Sequence, residues 1–130
     1  MTNLSNKKIL VVEDEIYLRE LYVDILTEEG FSVDQAANGY DGYLAILKGG
    51  YDLILLDIML PKIDGLEILK KLKNDPKPKK ANGKIVVLTN LSKDTAIADS
   101  VAMGVAGYLI KSDLTPGEFI ENVNRFLKIN

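Results

Sequence analysis

Five polar residues whose side chains could do chemistry each follow a short apolar run of the sequence. Glu13 and Asp14 follow the first of these runs, and the others are followed by Asp57, Thr89 and Lys111. If the runs are neighbouring parallel strands, their carboxyl ends meet at one edge of the sheet, where ligands of open α/β sheets bind. The pattern therefore predicts three carboxylates, a hydroxyl and an ammonium group around one site.

This set of side chains indicates phosphoryl chemistry assisted by a cation. Clustered carboxylates raise one another's pKa unless a cation lies among them, and oxygen ligands without His or Cys favour Mg²⁺ or Mn²⁺ over zinc. A transferring phosphoryl group needs a metal, a lysine and a hydrogen-bond donor for its developing negative charge. Asp57 could itself be the nucleophile and form an aspartyl phosphate. Taken singly, each residue also has an ordinary explanation as a helix cap, a strand end or a solvated side chain.

The composition excludes several other kinds of chemistry. The 130 residues include no Cys and no His, which excludes disulfides, thiol nucleophiles, His-dependent triads and phosphohistidine carriers. With 16 basic and 19 acidic residues the formal net charge is −3, so the chain has no overall electrostatic reason to bind nucleic acid or an anionic membrane. The sequence contains no apolar run of membrane-spanning length and no secretory signal, and we expect a soluble, cytoplasmic protein.

The elements that must position the five residues alternate along the chain. Apolar, β-rich runs predict five strands, at residues 8–12, 31–36, 53–56, 85–88 and 108–110. Segments with helical spacing follow the strands, including one over 92–103 and one that begins with the cap Thr115-Pro116-Gly117-Glu118. The alternation predicts a doubly wound α/β domain with a parallel sheet covered on both faces. We expect an N-terminal tail at 1–7 and one domain at 8–130.

Helical spacing also predicts which faces of the first two helices are buried. The predicted face of the first helix, which ends at Gly30, consists of Leu18, Leu21, Tyr22, Ile25 and Leu26. Asn38 and Gly39 open the second helix, and its predicted face consists of Tyr40, Tyr43, Leu44 and Leu47. Both faces would pack against the sheet.

Four stretches of the sequence resemble the receiver domain of two-component response regulators. These stretches are Ile9-Leu10-Val11-Val12-Glu13-Asp14-Glu15, Leu55-Leu56-Asp57-Ile58-Met59-Leu60-Pro61 with Asp64-Gly65, Val87-Leu88-Thr89, and Gly107-Tyr108-Leu109-Ile110-Lys111. The Asp-x-x-Leu-Pro-x-x-Asp-Gly spacing is specific, and the resemblance runs from about Lys8 to Leu127. It implies the flavodoxin-like receiver fold, a (βα)5 domain whose five parallel strands have the order 2-1-3-4-5.

The resemblance implies a role for each acidic residue. Asp57 would be the phosphoacceptor. Glu13, Asp14 and Asp57 would hold Mg²⁺ together with the backbone carbonyl of Met59. The domain would be a phosphoacceptor regulator rather than an enzyme, since it would catalyse only its own phosphoryl transfer and a slow dephosphorylation.

The remaining residues would read out the phosphoryl group and pass the signal on. Thr89 would bind a phosphoryl oxygen, Lys111 would pair with the phosphoryl group, and Tyr108 would turn inward as Thr89 moves towards the phosphate. The switch would alter the face formed by the fourth predicted helix, the fifth strand and the last helix. The implied partners are a sensor histidine kinase or phosphotransfer protein, a downstream protein target or effector domain, and a second copy of the chain in a phosphorylation-dependent homodimer.

The sequence departs from the receiver pattern in the loops around the site. Ser112 follows Lys111 where receivers usually have a proline after a cis peptide, so this loop is either trans or held cis by its surroundings. Asn90 replaces a small residue, and Met59 and Leu91 are apolar where polar neighbours in the family position water; we therefore expect slow self-dephosphorylation. The alternative function is a receiver-like interaction module that acts without phosphorylation. A missing acceptor or lysine would indicate that module, and neither is missing.

Overall fold

The fold is an alternating series of strands and helices. A computed structural model describes residues 7–74, 77–90, 99, 101 and 103–128. Its elements are β1 (Lys8–Val12), α1 (Ile16–Glu28), β2 (Ser32–Ala36), α2 (Gly39–Lys48), β3 (Leu53–Asp57), α3 (Gly65–Asn74), β4 (Lys84–Thr89), β5 (Gly107–Ile110), a 3-10 turn (Lys111–Asp113) and α4 (Pro116–Leu127). The helix predicted over 92–103 lies almost wholly outside the described residues, as does most of the tail predicted at 1–7.

The five strands form one parallel sheet in the order β2-β1-β3-β4-β5. The doubly wound α/β fold and its strand order are therefore confirmed. In the register of the sheet, Val12 lies opposite Leu56, Asp57 opposite Leu88, and Thr89 opposite Ile110. The carboxyl ends of β1, β3, β4 and β5 consequently lie side by side at one edge.

Both faces of the sheet are covered by helices. The side chains of β1, β3 and β4 alternate between two buried clusters, since successive residues of a strand point to opposite faces. One cluster includes Tyr22 and Leu26 of α1 and Phe119 of α4, whereas the other includes Ile46 of α2 and Ile68 of α3. The continuous apolar runs of the sequence arise from this burial on both sides.

Side-chain caps are present at the starts of three helices. The side chains of Asn38 and Asp64 each accept a hydrogen bond from the amide three residues further along, at 2.9 Å. At the start of α4, Thr115 and Glu118 form the reciprocal capping box, and the φ angle of 97° at Gly30 follows the end of α1. The starts of α2, α3 and α4 are therefore each stabilised by a side-chain cap.

The buried face of α2 differs from the prediction, which was wrong for Tyr40 and Leu44: these side chains are 49% and 46% exposed. The face that packs on the sheet is centred on Gly42 and Ile46. A Cβ atom at Gly42 would lie 2.7 Å from Cγ1 of Val12 in β1, so the helix approaches the strand too closely for any side chain there. Hydrophobic spacing counts side chains, and it therefore overlooks a face built around a glycine.

The face predicted for α1 is confirmed with one exception. Tyr22 and Leu26 are buried, and Leu18 and Ile25 are partly buried against the same cluster, but Leu21 is exposed.

None of the helices in the described ranges has both the length and the hydrophobicity needed to cross a bilayer.

Candidate functional site

The sheet brings the five predicted site residues to one edge. Glu13 and Asp14 follow β1, Asp57 and Thr89 are the last residues of β3 and β4, and Lys111 follows β5. Glu13, Asp57 and Thr89 are buried polar residues, whereas the Asp14 side chain is exposed to solvent. This edge of the sheet therefore carries a cluster of polar side chains that is mostly buried and reaches solvent at Asp14.

Lys111 is the centre of the polar contacts. Its Nζ lies 2.7 Å from Oε1 of Glu13 and 2.8 Å from Oδ2 of Asp57, and all three side chains are nearly inaccessible to solvent. Both contacts are charge-assisted hydrogen bonds. The lysine thus joins residues that lie 98 and 54 positions away in the sequence.

Burial and mutual proximity shift the pKa values of this group. The pKa of the Glu13 carboxyl is raised by its burial and by the neighbouring Asp57, and Lys111 offsets only part of that rise. Burial lowers the pKa of Lys111, but its contacts with Asp57 and Glu13 raise it by more, so the net shift is upward. Lys111 is therefore a fixed positive charge at neutral pH.

The acidic residues have the geometry of a hard-cation site. One carboxylate oxygen from each of Glu13, Asp14 and Asp57 lies within 4.8 Å of the others. Three carboxylates outweigh the single ammonium group of Lys111, so the site has an excess of negative charge. Oxygen-only ligands around such a charge suit Mg²⁺, which binds one or two carboxylates and keeps several waters. The residues present therefore fit the metal that the family implies.

The loop after β3 wraps closely around Asp57. The backbone N–H of Met59 donates a hydrogen bond to Oδ1 of Asp57 at 3.0 Å, and the N–H of Gly65 donates to the carbonyl of Ile58 at 2.8 Å. A Cβ atom at Gly65 would lie 2.6 Å from the carbonyl oxygen of Asp57, which explains the glycine at this position. The Met59 backbone lies beside Asp57, while its side chain is 72% exposed.

One residue that was not predicted to belong to the site, Arg19 of α1, contacts its backbone. Its Nη1 donates to the carbonyl oxygens of Glu13 at 2.9 Å and Asp14 at 3.5 Å, and its Nε donates to Oε1 of Gln35 at 3.0 Å. A basic residue in the first turns of the helix that follows an acidic pair is the sequence signal that could have identified it.

The predicted switch residues lie on β4 and β5. Tyr108 is opposite Val87 in the sheet, two residues before the pair of Ile110 and Thr89, and its side chain is 43% exposed. No peptide bond is cis in the part of the chain that the structure describes, so the bond between Lys111 and Ser112 is trans. Leu91 lies outside the described residues.

The fold and the site together define a class of domain: a doubly wound α/β domain with an acidic cluster and a paired lysine at the carboxyl edge of its sheet. The chain belongs to the response regulator receiver domain family, whose sequence model matches residues 9–124. It is a receiver domain of the two-component response regulators, and the resemblance of its motifs to that family is thereby confirmed.

Individual relatives agree with this assignment. The transcriptional regulatory protein CusR of Escherichia coli (strain K12) is 40% identical over 104 residues, which are 80% of this chain and 44% of CusR. Chemotaxis protein CheY of Treponema pallidum is 33% identical over 125 residues, which are 93% of this chain and 83% of CheY. The crystal structure of a two-component response regulator from Clostridium difficile has a TM-score of 0.80 at 30% identity, covering 94% of this chain and 96% of that one.

These relatives differ in how much of their length the chain accounts for. It spans less than half of CusR but most of the chemotaxis protein. The expectation that this chain does not bind nucleic acid directly rests on its net charge of −3 alone and stays a prediction.

Proposed function

We propose that this receiver domain accepts a phosphoryl group on Asp57 from a phosphohistidine of a sensor histidine kinase or phosphotransfer protein, in a reaction that requires Mg²⁺. The observation that carries the proposal is the buried carboxylate of Asp57 at a strand end, 2.8 Å from the Lys111 ammonium and beside two further carboxylates. A buried carboxylate with a fixed cation and a metal-binding cluster beside it is arranged for nucleophilic attack on phosphorus.

In the transfer step, a carboxylate oxygen of Asp57 attacks the phosphorus atom while the bond from phosphorus to the donor histidine nitrogen breaks. The bonding electrons leave with the imidazole, which is neutral when its other nitrogen carries a proton. Lys111 pairs with an oxygen of the incoming phosphoryl group, and the Thr89 hydroxyl donates a hydrogen bond to another. The backbone N–H of Met59 holds Oδ1 of Asp57 in place throughout.

Mg²⁺ would be held by Asp14, Asp57, Glu13 and the backbone carbonyl of Met59, and it supplies positive charge to the oxygens of the transferring group. Glu13 already accepts hydrogen bonds at both oxygens, from Nζ of Lys111 and from the amide of Glu15 at 3.2 Å. Because both of its oxygens already accept a hydrogen bond, Glu13 would be the more constrained ligand. Asp14 is exposed and is the carboxylate through which solvent and metal enter.

The output is a change of surface near the phosphoryl group. We assign the switch to Thr89 and Tyr108, because a phosphoryl group offers strong acceptors that the free carboxylate lacks and so biases a two-state element. The Tyr108 side chain is 43% exposed and would move inward when Thr89 shifts. The surface around β5 and α4 would then bind a downstream target, an effector domain or a second copy of the chain.

Intact mass spectrometry after incubation with acetyl phosphate and MgCl₂ tests this function. We expect one phosphoryl adduct on the wild-type chain, no adduct on Asp57→Asn, and none when the metal is chelated. The matched control is Asp64→Asn, which changes the capping carboxylate of α3 and should keep the adduct. If the wild type forms no adduct and does not bind beryllofluoride either, the domain acts as an interaction module without phosphorylation.

The stability of the adduct gives a second prediction. Met59 is exposed beside Asp57 and has no group that can orient a hydrolytic water, so we expect a lifetime of minutes or longer after the donor is removed. Met59→Asn supplies an amide at that position and should shorten the lifetime several-fold, whereas Met59→Leu should not. The measurement is the decay of the mass adduct after desalting. A wild-type half-life of seconds would contradict the prediction.

A further inference from the structure

Arg19 contacts the backbone of the loop that carries Glu13 and Asp14, but it forms no ion pair with either carboxylate. Within the described part of the chain, Arg19 forms no ion pair within 4.0 Å, although it contacts the backbone of two acidic residues. Its guanidinium instead donates to the backbone carbonyl oxygens of Glu13 and Asp14. Arg19 therefore occupies none of the carboxylate oxygens of Glu13 and Asp14.

The position of the Asp14 carboxylate depends on the peptide group between Glu13 and Asp14. The N–H of Glu13 is held by the carbonyl of Ala36 in β2 at 3.1 Å, which fixes the start of the loop. The carbonyl of Glu13 is held by Arg19 at 2.9 Å, and Arg19 is itself tied to β2 through Gln35 at 3.0 Å. The planar fork of an arginine can make these contacts together, which a lysine cannot.

The loop needs such a restraint because its acids repel one another. Asp14 must lie within 4.8 Å of the carboxylates of Glu13 and Asp57, although like charges favour separation. The helix after the loop adds no restraint through its cap, since the Glu15 side chain makes no capping hydrogen bond. A rotation of the Glu13–Asp14 peptide would carry the exposed Asp14 carboxylate away from the cluster.

We propose that Arg19 is a positioning residue of the magnesium site: it clamps the Glu13–Asp14 peptide to β2 and so holds the Asp14 carboxylate where a cation can share it with Asp57. The inference rests on the magnesium site of the proposed function. It concerns affinity for the metal, because Arg19 contacts the backbone of Glu13 and Asp14 and none of the carboxylate oxygens that would bind the metal.

The test is a titration of the full chain with MgCl₂ alone, followed by ¹H–¹⁵N NMR of the Met59 and Glu15 amides. We expect Arg19→Met, which keeps the aliphatic stem, to weaken Mg²⁺ binding about tenfold or more, the usual effect of removing a group that orients metal ligands. Arg19→Lys should restore part of the affinity, because an ammonium group can reach a carbonyl but cannot also hold Gln35. Arg125→Met, at the other arginine of the chain, should leave the affinity unchanged.

Denaturant unfolding of each variant without metal separates positioning from stability. If Arg19→Met lowers stability but binds Mg²⁺ within about twofold of the wild type, the inference is overturned while the proposed function stands. If the wild type does not bind Mg²⁺ at all, both fail. Should Arg19→Met not fold, Gln35→Leu decides: it removes the tether to β2 and should weaken the metal several-fold, and an unchanged affinity would overturn the inference.

Discussion

Replacing Lys111 with Met lowers the free energy of unfolding by about 3 kcal/mol at neutral pH in the absence of metal, the usual cost of removing one partner of a buried ion pair. The variant leaves the carboxylates of Glu13 and Asp57 buried without the ammonium group that lies 2.7 Å and 2.8 Å from them. Methionine has a similar length to the lysine stem, so the loss arises from the charge and not from a cavity. Denaturation with urea measures it.

The loss of stability in Lys111→Met depends on pH, and the raised pKa of Glu13 determines the direction of this dependence. Burial and Asp57 raise this pKa above its usual 4.5, and Lys111 opposes the rise, so the variant has a still higher pKa. An acid whose pKa is higher in the folded than in the unfolded state stabilises the fold at pH values below its unfolded-state pKa. This stabilisation is lost as the pH rises through the folded-state pKa. The variant should therefore differ less from the wild type at about pH 5 than at about pH 7.

Two comparisons make this prediction specific. Lys48→Met removes an exposed lysine that forms no ion pair with any described residue, and it should change the stability little at either pH. Addition of MgCl₂ should restore part of the stability of Lys111→Met, since a bound cation replaces the missing positive charge. A loss that is the same at both pH values and in both lysine variants would contradict the prediction.

The site could be predicted from the sequence because parallel strands place their carboxyl ends at one edge. Asp57, Thr89 and Lys111 each follow an apolar run, and this alone indicates that they converge once the runs are taken as adjacent strands. The order of the strands came from the resemblance to receivers, since hydrophobic periodicity carries no information about which strands are neighbours. The sheet confirms that order.

The contacts within the site could not be predicted in the same way. Lys111 bonds to Glu13 as well as to Asp57. The contact with Glu13 depends on the rotamers of two side chains that are 98 residues apart in the sequence, and no spacing rule describes it. Arg19 likewise contacts backbone carbonyl oxygens. Every residue has such an oxygen, so the sequence gives no signal for which of them Arg19 contacts.

The error in the buried face predicted for α2 has a steric origin. The prediction for α2 followed the large side chains Tyr40 and Leu44, but the helix lies on the sheet through Gly42, where Val12 leaves no space for a Cβ atom. Close packing of a helix on a strand can thus reverse the apparent apolar face. In α4 the large apolar side chains Phe119 and Val123 are buried.

Phe119 of α4 should be among the most destabilising positions for truncation. Its ring is fully buried and stacks on Tyr22 of α1, with ring centroids 4.6 Å apart and an interplanar angle of 19°. Burial raises the pKa of the Tyr22 hydroxyl to about 12. We expect Phe119→Ala to lower the free energy of unfolding by about 4 kcal/mol, because it loses both the transferred area and the stacking and leaves a cavity.

The matched control is Phe126→Ala, two turns further along the same face of α4, where the ring is only partly buried against the same cluster. Phe126→Ala should lower the free energy of unfolding by about half as much, since solvent already reaches this ring and water can fill the cavity that the substitution leaves. Both rings belong to the cluster on one face of the sheet, and neither residue is one of the proposed phosphorylation or metal-binding residues. Each variant should form the phosphoryl adduct in proportion to its folded fraction. If Phe119→Ala cost no more than Phe126→Ala, the contact between α1 and α4 would not be the main support of that side of the sheet.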